Sequence, residues 1–161
     1  MPQPAITLRA ITPDDYVPII EVVDAWWGGR AMRDMLPRLF FTHIKNTSVI
    51  AVHEQQRVGF LIGLLSQSYA DEAYIHFVGV HPDYRQAGLG RLLYERFFDV
   101  VRQHGRSLVR CVTAPINKTS IAFHTHMGFV MQPSPYQIDG IPIARDYDGH
   151  NGDRVLFVKT L

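Results

Sequence analysis

The 161 residues are 47% hydrophobic and 19% charged, a balance that builds one soluble core and argues against a fibrous, disordered or membrane-spanning class. Sixteen Lys and Arg against fifteen Asp and Glu leave a formal net charge of +1, so no nucleic-acid partner is expected and any anion site must be local. Met1-Pro2-Gln3-Pro4 lacks the basic region and apolar run of a secretory signal, from which a cytoplasmic setting is expected, with no membrane contact.

A single domain over residues 1-161 is expected at this length. Ile6 to Ala10 alternates like a short strand, and Thr12-Pro13-Asp14-Asp15 then supplies an N-cap, a proline at N1 and an acidic N3. The helix predicted from there carries Val17, Ile20, Val23 and Trp27 on its apolar face and ends at Gly28-Gly29, with a second helix from about Ala31 to Ile44 bearing Met35, Leu36, Leu39 and Phe40. Thr47 to Val52 and Arg57 to Leu65 read as a hairpin around Glu54-Gln55-Gln56, and Ala73 to Val80 as a further strand. Helical spacing returns over Arg91 to His104 at Leu92, Leu93, Phe97 and Val101. A strand near Leu108 to Val112, a short helix near Lys118 to Met127 and extended chain at Phe129 to Met131 follow. The prolines and glycines of residues 132 to 152 predict a long loop before a final strand, Arg154 to Lys159. The order is mixed α/β: a meander of strands, then a strand-helix-strand crossover that makes two strands parallel.

The chemistry concentrates where the strand ending at Val80 runs through His81-Pro82 into Arg85-Gln86-Ala87-Gly88-Leu89-Gly90 and a helix. Free N–H groups at a helix N-terminus, with the helix dipole behind them, attract an anion, and Gly88 and Gly90 let a pyrophosphate approach the backbone. Arg85 and Arg91 are placed to add mobile charge at the rim. Neither a Walker A ending nor a three-glycine dinucleotide fingerprint is present. Cys111, the single cysteine, sits in an apolar strand and reads as a buried structural thiol.

Arg85-Gln86-Ala87-Gly88-Leu89-Gly90 resembles the R/Q-x-x-G-x-G/A motif of the GNAT superfamily of N-acetyltransferases. Asn117-Lys118-Thr119-Ser120-Ile121-Ala122-Phe123-His124-Thr125-His126-Met127-Gly128-Phe129 resembles the same family's later segment, one helix and one strand downstream. The resemblance implies a central mixed, mostly antiparallel sheet with a splayed parallel strand pair, flanked by helices. It also implies acetyl-CoA as acyl donor and no metal. Backbone groups from Gln86 to Arg91 would hold the pyrophosphate, with Val78, Val80, Asn117 and Ser120 along the rest of the cofactor.

Where many members place a Tyr to protonate the departing thiolate, this chain has His124. An amine must lose its proton before attack, and the family often draws its base from the strand face that carries Tyr74, His76, Val78 and Val80 here. His76 and Tyr74 are the candidates. The acceptor, a small-molecule amine or a peptide or protein amine, is expected near Trp26, Trp27, Arg30 and Arg33, with Tyr147, Asp148 and His150 of the late loop closing over it. Homodimers through an open edge of the final strand, and a non-catalytic acyl-CoA sensor as the alternative to an enzyme, remain open.

Overall fold

A computed structural model describes residues 5–161, and Met1 to Pro4 with the targeting expectation drawn from them lie outside it. The chain divides into two compact units: the first runs to Leu65 and resumes over Ile75–Gly105, and the second is Ser66–Tyr74 with Arg106–Leu161.

In the first unit β1 (Thr7–Ala10) pairs antiparallel with β2 (Val49–His53), and β2 with β3 (Gln56–Leu65). Glu54 and Gln55 take positive φ of 47° and 68°, which lets a two-residue turn close the expected β2-β3 hairpin. Next to β3 in the sheet lies β4 (Glu72–Val80), whose first three residues belong to the second unit.

The two long helices predicted between β1 and β2 are broken into pieces. A 3-10 turn (Pro13–Asp15) with the expected Thr12/Asp15 capping box leads into α1 (Tyr16–Ile20) and α2 (Val23–Trp26). Another 3-10 turn (Arg33–Met35) precedes α3 (Leu39–His43). Pro37 explains the second interruption, because the residue before a proline is driven out of the helical region, and Leu36 has φ -128° and ψ 59°. The buried face is Ile19, Val23 and Trp26; Val17, by contrast, is 47% exposed. Leu36 is buried as expected and Phe41 joins it, whereas Met35 and Leu39 are 44% and 49% exposed.

On α4 (Leu89–Gln103), Leu89, Leu93, Phe97 and Val101 repeat every four residues and are fully buried, with Tyr94 and Phe98 beside them. A Cβ on Gly63 of β3 would stand 2.3 Å from the Phe97 ring, so glycine is what lets α4 pack so closely.

In the second unit the start of β4 pairs parallel with β5 (Leu108–Thr113), in a register of three residue pairs that ends at Tyr74 and Arg110. Antiparallel β9 (Val155–Thr160) pairs along all of β5 and on its other side with β6 (Val130–Met131). The sheet is therefore mixed and mostly antiparallel, as expected, but β9 has neighbours on both sides and is not the open edge proposed for dimer pairing. The segment 132–152 is no structureless loop. It contains the hairpin β7 (Gln137–Ile138) and β8 (Ile141–Pro142), turned by Asp139 and Gly140 at positive φ, and Ala144 bridges to Arg154. The remaining helix is α5 (Lys118–His126). No helix among the described residues is long and apolar enough to cross a membrane.

Candidate active site

β4 ends at Val80, and the chain turns through a 3-10 turn, Pro82–Tyr84, whose first N–H groups are capped by His81 Nδ1 accepting from Asp83 N–H at 3.1 Å. His53 Nδ1 and the Tyr84 hydroxyl, 2.6 Å apart, brace the same turn. Gly88 then caps α4 from the left-handed region, φ 78° and ψ 9°. The N–H groups of Leu89, Gly90 and Arg91 have no acceptor within the helix; that of Leu92 is the first to close, on the Gly88 carbonyl at 3.2 Å. Arg85, Gln86, Ala87 and Gly88 are exposed, and a Cβ built on Gly88 meets nothing within 4 Å. An open backbone nest on a helix dipole is the donor set a pyrophosphate requires.

The two rim arginines differ from expectation. Arg85 donates through Nε to the Val80 carbonyl at 3.3 Å and through Nη2 to the Trp26 carbonyl, and Arg91 pairs with Glu95 at 2.8 Å.

Along β4 the half-buried Tyr74, His76, Val78 and Val80 alternate with buried Ala73, Ile75, Phe77 and Gly79, which is the expected face. His76 Nε2 lies 2.7 Å from the Met35 carbonyl. A carbonyl only accepts, so Nε2 carries the proton and Nδ1 the lone pair. The ring stacks on Phe40 at a centroid distance of 4.5 Å. Tyr74 is less suited to accept a proton: burial, with Tyr147, Cys111 and Asp148 nearby, pushes its phenol up to about 12. Burial likewise raises the Cys111 thiol, consistent with a structural cysteine.

In the second unit Asn117 Oδ1 caps α5 by accepting from Ser120 N–H at 3.1 Å. His124 Nδ1 donates to the Ser120 carbonyl at 2.7 Å, with Ser120 Oγ 3.2 Å away. The imidazole is 6% exposed and stacks on Phe157 at 5.0 Å, with Phe129 edge-on at 5.3 Å. Burial lowers its pKa and the Ser120 carbonyl offsets this only in part, so the ring is neutral with its proton on Nδ1.

The tryptophan sealed in the core is Trp26 and not Trp27, which the helical stripe places on the apolar face. Trp26 is 5% exposed and stacks on Phe60, while half-buried Trp27 stacks on Phe77 at 5.0 Å. Arg30 is exposed, and Arg33 donates to the Ile20 carbonyl at 3.1 Å and lies 3.7 Å from Asp24. A cavity of about 340 Å³ opens between Tyr16, Ile20, Arg33, Asp34, Leu36 and Pro37. Of the four residues expected around the acceptor only Arg33 lines it. In the late loop Asp148 is paired with Arg154 at 2.8 Å and Tyr147 is 50% exposed. Sequence reasoning missed the carbonyls of Met35 and Trp26, which orient His76 and Arg85, because a backbone acceptor leaves no side-chain signature. Among the described residues no cluster of three or more His, Cys, Asp or Glu is arranged to hold a metal ion.

A sequence model of the acetyltransferase (GNAT) family matches residues 16–129. The L-2,4-diaminobutyric acid acetyltransferase of Nocardia farcinica is 34% identical over 76 residues, 47% of this chain and 39% of that relative, so the chain spans well under half of its length. Among solved structures, Ard1 from Thermoplasma volcanium superposes with a TM-score of 0.77 at 19% identity, covering 98% of both chains. A phosphinothricin acetyltransferase from Sinorhizobium meliloti in complex with acetyl-CoA gives 0.72 at 19% identity, covering 97% of this chain and 88% of that one.

Proposed function

The chain belongs to the GNAT acetyltransferase family, and from that premise we propose that it transfers an acetyl group from acetyl-CoA to a primary amine by direct attack in a ternary complex. The observation that carries this reading is Gly88, a left-handed cap with open space over its Cα at the start of α4. The N–H groups of Leu89, Gly90 and Arg91, with the exposed backbone of Gln86 to Gly88, would hold the pyrophosphate. Backbone groups of Val78 and Val80 would line the pantetheine arm. Acetyl-CoA supplies the thioester carbonyl; this chain supplies the proton handling.

The acceptor is protonated in water, with an amine pKa of about 10, and must shed a proton before it can attack. His76 is the base in this reading. The Met35 carbonyl holds Nε2–H, fixes the tautomer, and stabilises the imidazolium that forms when Nδ1 takes the proton. His124 could protonate the departing thiolate only after taking up a second proton at Nε2, which its burial opposes. We therefore assign it a packing role in α5. The acceptor is a small-molecule or peptide amine that reaches Nδ1 of His76.

Coenzyme A is expected to raise the melting temperature, since a ligand of the native state alone adds about 2.7 kcal/mol at a hundredfold excess over Kd. Gly88→Asn tolerates the left-handed backbone yet fills the open space, and Gly88→Val adds backbone strain to the same obstruction. Both should weaken coenzyme A binding. A folded Gly88→Asn protein with parental affinity would refute the loop assignment. His76→Gln should slow single-turnover acetylation of an amine found by screening by about 10²- to 10⁴-fold, with coenzyme A affinity retained. A rate within threefold of the parent's would remove His76 as base.

A further inference from the structure

Arg85 stands in the glycine loop, but its side chain is engaged elsewhere. Its guanidinium donates through Nη2 to the carbonyl of Trp26 and through Nε to that of Val80. Trp26 is the last residue of α2, where carbonyls lack intrahelical donors and the helix dipole is negative. An arginine caps such an end well, and its planar fork serves two acceptors at once. Two ring contacts join the same helix end to β4 and the turn that follows: Trp27 on Phe77 at 5.0 Å and Trp26 edge-on to His81 at 5.6 Å. Immediately after this end, Gly28 and Gly29 take positive φ of 66° and 89°, so no side chain there restrains the backbone.

We infer that Arg85 is a positioning residue that couples occupancy of the Gly88 loop to the helix end carrying Trp26 and Trp27. The inference rests on the acetyl-CoA reading of that loop. Gly88 lies three residues beyond Arg85, so a ligand that orders the loop backbone also fixes the Cα from which the guanidinium reaches the Trp26 carbonyl. The loop and the helix end then respond as one body. Such coupling is reciprocal: a change that frees the helix end lowers affinity at the loop by the same factor.

The sequence contains two tryptophans, both at this helix end, so indole emission reports on it alone. Titration with coenzyme A, with bound fraction measured by calorimetry on the same samples, should give an emission change in the parent that follows occupancy. Arg85→Gln should still bind, about fivefold or more weakly, and its emission change should disappear. Arg85→Lys, which keeps the charge but not the fork, should restore part of both. Should Arg85→Gln fail to fold, Trp27→Phe leaves Trp26 as sole reporter with Arg85 intact, and its emission should still change on binding. Equal emission changes in parent and Arg85→Gln at equal occupancy, or a silent Trp26 in a Trp27→Phe protein that binds coenzyme A, would overturn the coupling. A parent that binds no coenzyme A by calorimetry would instead overturn the loop assignment, so the two failures are distinct.

Discussion

Asp15 in the first unit and His124 in the second are both sealed from water, at 0% and 6% exposure, yet they settle in opposite charge states. Burial opposes ionisation of Asp15, but Arg9 grips both oxygens at 2.8 and 2.9 Å, Arg57 adds a third contact at 2.9 Å and Thr12 N–H a fourth at 2.8 Å. These donors outweigh the desolvation and hold the carboxyl at about 2. His124 stacks on Phe157 with Phe123 and Phe129 packed at near right angles, and the Ser120 carbonyl does not offset burial. Burial sets the penalty, and whether the surrounding charge outweighs it decides if a group bears it charged or avoids it by staying neutral.

The contrast breaks most sharply on removing the carboxylate. Asp15→Ala leaves Arg9 and Arg57 facing an empty site and should cost about 3 kcal/mol, the low end for a broken buried pair, because both guanidinium groups reach water. Urea unfolding should show a lower midpoint with unchanged slope. His124→Ala opens a cavity between Phe129 and Phe157 and should cost about 2 kcal/mol or somewhat more. Acid titration of stability sharpens the same comparison. Asp15 has a lowered folded pKa, so its contribution is complete above the ordinary range near about 4 and is lost as pH falls toward about 2. His124 is also lowered, so its neutral state contributes fully above about 6.5 and loses that contribution as pH falls below it. Asp15→Asn should flatten the lower step and His124→Phe the upper one. The smallest effect expected is on rate: His124→Phe keeps the stacked ring and should alter single-turnover acetylation by less than about tenfold. A loss above about a hundredfold would make His124 the acid after all.

Elements with strong local signals were legible in the sequence. The four-residue repeat of α4 and the polar β2-β3 turn needed no tertiary information, and the Gly88 loop announced itself between a strand and a helix. The region between β1 and β2 was harder, because Val17 and Ile20 fit a helical stripe as well as Ile19, Val23 and Trp26 do, and only packing chooses between them. The β7-β8 hairpin did carry a signal, Asp139-Gly140 between Ile138 and Ile141, but the surrounding prolines pointed to loop. The candidate site was legible in its residue types and not in its wiring. Nothing in the sequence says that Arg85 turns back to a carbonyl 59 positions away, or that His76 presents Nδ1 because Met35 holds Nε2.

Cys111 is 3% exposed and its thiol is raised by burial, so a thiol-specific reagent can modify it only when the second unit opens. It is the sole cysteine, and both tryptophans lie in the first unit. Each unit thus contains its own clock: the labelling rate of one sulfur follows the second, and indole fluorescence follows the first. Run side by side across a urea gradient, the two clocks ask whether the chain melts as one body. Coincident midpoints mean that the two units unfold cooperatively, and separated midpoints mean that each has a stability of its own.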